Sequence, residues 1–119
     1  MSCAYLAFTA RGEALARRLA EALPGSVSRW GGEVTLEGWM AGHFAKNEAL
    51  MFVGAVGTAV RAVAPYCKSK ASDPAVVAVD EGGQFAVPLL SGHLGGANAL
   101  ARALAEACGA VPVITTATD

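Results

Sequence analysis

Residues able to do chemistry gather in three short stretches of the chain. Gly54-Ala-Val-Gly57 follows an apolar run and leads into Thr58 and Arg61, three residues apart. Asp80 and Glu81 stand directly before Gly82-Gly83, and Ser91-Gly-His93-Leu-Gly95-Gly96-Ala-Asn98 joins a second apolar run to a Leu/Ala stripe. Glycines at a strand-to-helix junction let a ligand approach the main chain, and the unpaired N–H groups of a helix start attract anions. The same glycines also serve tight turns and close helix packing. G-A-V-G-T lacks the G-x-G-x-x-G spacing, and no G-x-x-x-x-G-K-[ST] occurs, so a nucleotide is not indicated. The chemistry that fits is recognition of an anionic small molecule.

Single residues sharpen that reading. Arg61 stands in an otherwise uncharged segment, either as a solvated charge or as a clamp for a carboxylate. Ser91 is outside any G-x-S-x-G frame and reads as the cap of the helix that follows. His93 suits a general acid or base, its unperturbed pKa lying near neutrality. His43 reads as a helix-surface residue near Trp39. Asp80 and Glu81 read first as turn chemistry; a catalytic role stays open if their turn shares a sheet edge with both glycine-rich junctions. No His, Cys, Asp or Glu cluster has metal-ligand spacing, so a metal site is not expected.

The elements that must position these groups follow from periodicity. Ala4–Phe8 reads as a buried strand, with Thr9 capping a helix that carries Leu15, Leu19 and Leu23 on one face and stops at Pro24-Gly25. A weak strand near Val27–Trp30, a Gly31-Gly32 turn and a Leu36, Met40, Phe44 helix come next. Ala49–Val53 is the clearest strand; the helix after it is expected to turn Val56, Val60 and Val63 to the core and to stop at Pro65. Ala75–Asp80 and Gln84–Leu90 flank a Gly-Gly turn as a β-hairpin, or as a strand with an edge return. Ala97, Leu100, Ala101, Leu104 and Cys108 form the last helical stripe, closed by Gly109, before a strand at Val111–Ile114. Alternating strands and helices imply a three-layer α/β/α sandwich with a mostly parallel sheet, Rossmann- or flavodoxin-like, and 119 residues make one domain, 1–119.

Composition narrows the class further. A hydrophobic fraction of 54% excludes disorder, and nine basic against ten acidic residues form no stripe for nucleic acid. Cys3, Cys67 and Cys108 are widely spaced, which fits a reduced, cytoplasmic protein. The Ala49–Val60 run is too short to span a bilayer, and the amino terminus lacks a basic flank before its apolar stretch, so neither membrane nor secretion is expected.

From Gly54 onward the chain resembles the amino-terminal domain of the CbiG family, the cobalt-precorrin-5A hydrolases of anaerobic cobalamin biosynthesis. The resemblance is carried by Gly54-Ala-Val-Gly57, Arg61-Ala-Val-Ala-Pro65, Lys68–Pro74, Ala75–Gly82, Leu89–Asn98 and Pro112–Asp119, in order and with matching spacing. It implies hydrolysis of a δ-lactone with release of acetaldehyde, giving cobalt-precorrin-5B. It also implies a cobalt that arrives with the substrate, so no cofactor of the protein's own is expected. Gly54, Gly57, Thr58, Arg61, Gly95, Gly96 and Asn98 become substrate-binding candidates, and His93, Glu81 and Ser91 catalytic ones. Family members continue past the Thr115–Asp119 block. The chain is therefore expected to be an excised domain, a split gene product or a remnant, with a downstream CbiG domain or other cobalamin-pathway enzymes as partners and room for a homo-oligomer. The alternative is a module that holds the corrinoid intermediate while catalysis is supplied elsewhere.

Overall fold

Three strands carry side chains suited to a sheet covered on both faces. In β1 (Cys3–Ala7), β3 (Ala49–Val53) and β4 (Ala75–Val79) every residue is buried. Side chains alternate across a strand, so such runs need apolar partners on either side. Tyr5, Met51, Val53, Val77 and Val79 pack under α1 (Ala10–Ala22) and α4 (Ala97–Cys108), through Leu15, Leu19, Leu100 and Leu104. Leu6, Leu50, Phe52 and Val76 pack on the other side under α2 (Leu36–His43) and α3 (Val56–Val63), through Trp39, Met40, Ala59, Ala62 and Val63. The result is the expected α/β/α sandwich. The computed structural model describes residues 1–92 and 95–117.

The sheet is completed by β2 (Ser26–Arg29), β5 (Phe85–Leu90) and β6 (Val111–Pro112), in the order β2-β1-β3-β4-β5-β6. The first four are mutually parallel, β5 returns antiparallel to β4 as the predicted hairpin, and β6 is parallel to β5. Pro88 cannot donate to a ladder, and β5 accommodates it beside a register shift opposite Val76 and Val77. From β1 the chain moves to one side to form β2 and then to the other to form β3, so a topological switch point lies between β1 and β3.

Local chemistry sets the helix ends. Thr9 caps α1 by accepting from the Gly12 N–H at 2.9 Å, and Thr35 caps α2 by accepting from the Gly38 N–H at 3.0 Å. Tyr5, wholly buried in β1, sends its hydroxyl to the Leu23 carbonyl at 2.6 Å and so satisfies the end of α1. Burial holds that phenol well above its ordinary pKa. α3 ends before a 3-10 turn at Ala64–Tyr66, where Pro65 stops it as expected. α4 ends at Gly109, whose φ of 79° is left-handed.

Three expectations are corrected. Val56 and Val60 are 40% and 46% exposed, and the face of α3 that meets the sheet is Ala59, Ala62 and Val63. Small residues there bring the helix axis close to the strands. Ser91 does not cap α4: Gly96 occupies that position at φ 82°, without a side-chain bond. The last strand is two residues, Val111–Pro112, not the run to Ile114. No helix among the described residues is long and apolar enough to cross a membrane.

Candidate functional site

In open α/β sheets ligands settle beyond the carboxyl ends of the strands, at the switch point. Here that position is a cleft of about 440 Å³, lined by Phe8 and Thr9 after β1, Gly54, Ala55 and Thr58 after β3, and Asp80 and Glu81 after β4. The three connections converge because their strands are adjacent and parallel. Gly54 closes the floor: its N–H donates to the Val79 carbonyl at 2.8 Å, and a Cβ on it would lie 3.1 Å from Cδ2 of Phe8. α3 opens at Ala55 without a side-chain cap, so no side chain masks its first N–H groups, and Gly54, Ala55 and Thr58 at that helix start form one wall of the cleft. Nothing stands within 4 Å of where a Cβ on Gly57 would be, which leaves that helix start open to a ligand.

Two carboxylates meet this cleft in different states. Asp80 is committed to the hairpin: its Oδ1 accepts from the Gln84 and Phe85 N–H groups at 2.9 and 2.7 Å, and its carbonyl accepts from the Gly83 N–H at 2.8 Å. This is the turn role expected of it. Glu81 makes no such commitment. Its Oε2 accepts from the Thr9 hydroxyl at 2.6 Å, while Thr9 accepts from the α1 main chain. One oxygen is thus held at the mouth of the cleft beside the amino end of α1. Such a carboxylate can accept a proton from water or hand one to a departing oxygen.

The structure divides the remaining candidates. Thr58 lines the cleft, but Arg61, one turn further along α3, borders a separate groove of about 220 Å³ with Leu36, Glu37, Met40 and Tyr66. Ser91, Gly95, Gly96 and Asn98 lie at the opposite edge of the sheet. Because β5 is antiparallel, its Leu90 end sits beside Val76 rather than Val79. The five residues of β4 put about 16 Å between the two edges. The expectation that both glycine-rich junctions share one edge with Glu81 is therefore corrected. His93 lies outside the described residues.

Ser91, Gly95 and Asn98 have structural uses of their own. Ser91 adopts a left-handed φ of 59° and sends its hydroxyl to the Asp73 carbonyl at 3.1 Å. A Cβ on Gly95 would fall 2.5 Å from that of Ser91, so only glycine fits. Asn98 is 2% exposed and reaches the Thr116 hydroxyl at 2.9 Å through Nδ2, whereas its Oδ1 finds no partner among the described residues. The Lys68–Pro74 block is likewise held from within: Asp73 accepts the Lys68 N–H with both oxygens, at 3.1 and 2.9 Å. His43 stacks on Trp39 with ring centroids 4.7 Å apart, as its spacing suggests, and burial with nearby Lys46 lowers its pKa.

Phe8, Thr9 and Ala55 line the candidate cleft, and sequence reasoning did not single them out for it. The signal available was position, at the carboxyl end of a buried strand, rather than glycine content. The cysteines are unpaired, and among the described residues no three His, Cys, Asp or Glu side chains are grouped to hold a metal.

Comparison with known proteins places the chain in a family. The model of the family described as cobalamin synthesis G N-terminal matches residues 38–119. A cobalt-precorrin-5A hydrolase of Salmonella typhimurium is 50% identical over 99% of this chain and 36% of its own length. Another from Priestia megaterium is 47% identical over 64% of this chain and 20% of its own. The crystal structure of a cobalamin biosynthesis protein G homologue from Sulfolobus solfataricus superposes with a TM-score of 0.78 at 31% identity, covering 96% of this chain and 36% of that one. The chain thus spans about a third of the length of its fullest matches. By fold, by sequence and by the extent of the match, it belongs to the cobalamin synthesis G amino-terminal family.

Proposed function

We propose that this chain forms the lactone-opening site of a cobalt-precorrin-5A hydrolase, with the cleft between β1, β3 and β4 as the place of reaction. The observation that carries the reading is Glu81, held by Thr9 at 2.6 Å in a cleft onto which an uncapped helix opens. Glu81 takes a proton from water as the water oxygen adds to the lactone carbonyl. The α3 N–H groups offset the charge growing on the carbonyl oxygen. The ring C–O bond then breaks, and the departing alkoxide receives the proton from Glu81. The freed alcohol can lose its proton while the adjacent C–C bond breaks. This step expels acetaldehyde and leaves the electron pair on the macrocycle. Cobalt enters and leaves as part of the substrate.

A second reading has a specific support, the 36% and 20% shares of the two relatives that the chain covers. In it the domain holds the corrinoid and another domain completes the chemistry. Incubation with cobalt-precorrin-5A, alone and with the downstream region of a relative, separates the two. Acetaldehyde from the chain alone supports the first, and acetaldehyde only in the combined sample supports the second. In whichever format is active, Glu81→Gln is expected to lower kcat by about a hundredfold or more; unchanged turnover removes Glu81 from the chemistry.

A further inference from the structure

Beside the cleft, and sharing Glu81 with it, lies a second groove of about 270 Å³. Its walls are Arg11, Ala14, Leu15 and Arg18 of α1 on one side and the Glu81-Gly82-Gly83 turn with Cys108 on the other. Arg11 and Arg18 are seven residues apart and so lie along one helix face. Neither has a carboxylate within ion-pair distance among the described residues. Their neighbour Arg17 differs, being bound to Glu13 at 2.8 Å. The hairpin turn leaves room for Arg11: a Cβ on Gly82 would lie 3.4 Å from Nη2 of Arg11 and 3.2 Å from Oδ2 of Asp80.

We infer that this groove is a carboxylate-binding arm of the substrate site, with Arg11 and Arg18 receiving an acidic side chain at the rim of the macrocycle. The inference rests on the proposed function, since a cobalt-precorrin bears acetate and propionate groups around its ring. Two guanidinium groups along a groove can each give paired N–H donors to a carboxylate. Glu81 repels an anion at the near end, so the acidic arm lies toward Arg18 and Gly83 while the reacting lactone stays at Glu81. The arginines are positioning residues: they fix which edge of the macrocycle enters the cleft.

Uroporphyrin I, an octacarboxylate tetrapyrrole, is a stable probe, and its binding can be followed by quenching of tryptophan fluorescence. Trp30 is half exposed, with its ring centroid 6.5 Å from that of Phe8, which lines the cleft. Arg11→Ala and Arg18→Ala are each expected to weaken binding about three- to tenfold, and the double variant by more. Lysine at both positions should restore part of the affinity, and Arg17→Ala should leave it unchanged. Raising the salt concentration should weaken the wild type more than the double variant. Wild-type binding that Arg11→Ala and Arg18→Ala leave intact overturns the arm but not the tetrapyrrole site. No wild-type binding overturns the site itself.

Discussion

Thr9→Ala removes one hydroxyl and two different bonds, and the structure allows the loss to be apportioned. The first is the α1 cap, where Oγ1 accepts from the Gly12 N–H at 2.9 Å. Replacing such a cap by alanine costs about 1 kcal/mol. The second is the bond to Glu81 at 2.6 Å, exposed to solvent and therefore worth roughly 0.5–1 kcal/mol. At about 2.1 cal/mol/K of unfolding entropy per residue, a 119-residue domain loses about 4 °C of Tm per kcal/mol. Thr9→Ala should thus lower Tm by about 6–8 °C. Thr9→Ser keeps both bonds and should stay within about 2 °C. Thr9→Asp keeps the cap but sets a carboxylate against Glu81, so it should fall between them at neutral pH. The assay is thermal unfolding followed by circular dichroism, with Glu81→Ala made in both backgrounds. A coupling of roughly 0.5–1 kcal/mol between the two positions is expected. Additive losses, or equal melting of the Ala and Ser variants, would refute the claim that Thr9 holds Glu81 in place.

Three further expectations use the same measurement. Gly54→Ala should cost about 1 kcal/mol, because its Cβ meets Phe8 at 3.1 Å, whereas Gly57→Ala should stabilise by roughly 0.5–1 kcal/mol, its Cβ meeting nothing within 4 Å. If both variants destabilise alike, the stated geometry of the junction is wrong. Val63→Ala should cost about 2 kcal/mol and Val60→Ala under about 0.5 kcal/mol, since Val63 is 5% exposed and Val60 is 46% exposed; the reverse order would restore the valine face expected from periodicity. His43 is held below its ordinary pKa of 6.5 by burial and Lys46. The unfolded chain then binds the proton more readily, so stability is unaffected at high pH and falls as pH drops through the ordinary histidine range. Unfolding by urea at pH 7.5 and 5.5 should show a smaller difference for His43→Gln than for the wild type; an identical difference contradicts this.

The sequence was most legible where one residue has a single physical use. Thr9 before a Leu15, Leu19 stripe, Pro65 after a helix and Gly109 closing another all stand where their chemistry requires. It was ambiguous in α3, which is apolar around most of its circumference. Val56, Val60 and Val63 form one stripe and Ala59, Ala62 and Val63 another, and nothing local chooses between them. The choice was made by the sheet, because alanines permit closer approach. The site was legible in its glycine-rich and acidic parts but not in its assembly. The hairpin was readable, yet its consequence for direction acts at long range: one antiparallel strand carries Ser91 to the far edge from Glu81. Ser91 itself looked like a cap, and only the left-handed backbone at Gly96 shows where the helix begins. Arg11 gave no local signal, since an arginine early in an amphipathic helix is ordinary until the turn opposite it is known.

The two ends of the sheet have a consequence for how the molecule behaves in company. β2 is four residues long and carries Ser26, Ser28 and Arg29, while β6 is two residues long and half of it is Pro112, which has no N–H. The strands with the strongest tendency to recruit a foreign chain, β1, β3 and β4, have a strand on either side. A visiting segment thus finds at each margin only a short, polar or proline-interrupted ladder on which to align. Templated stacking into fibrils has to begin by stripping a margin away, and so is tied to partial unfolding rather than to concentration alone.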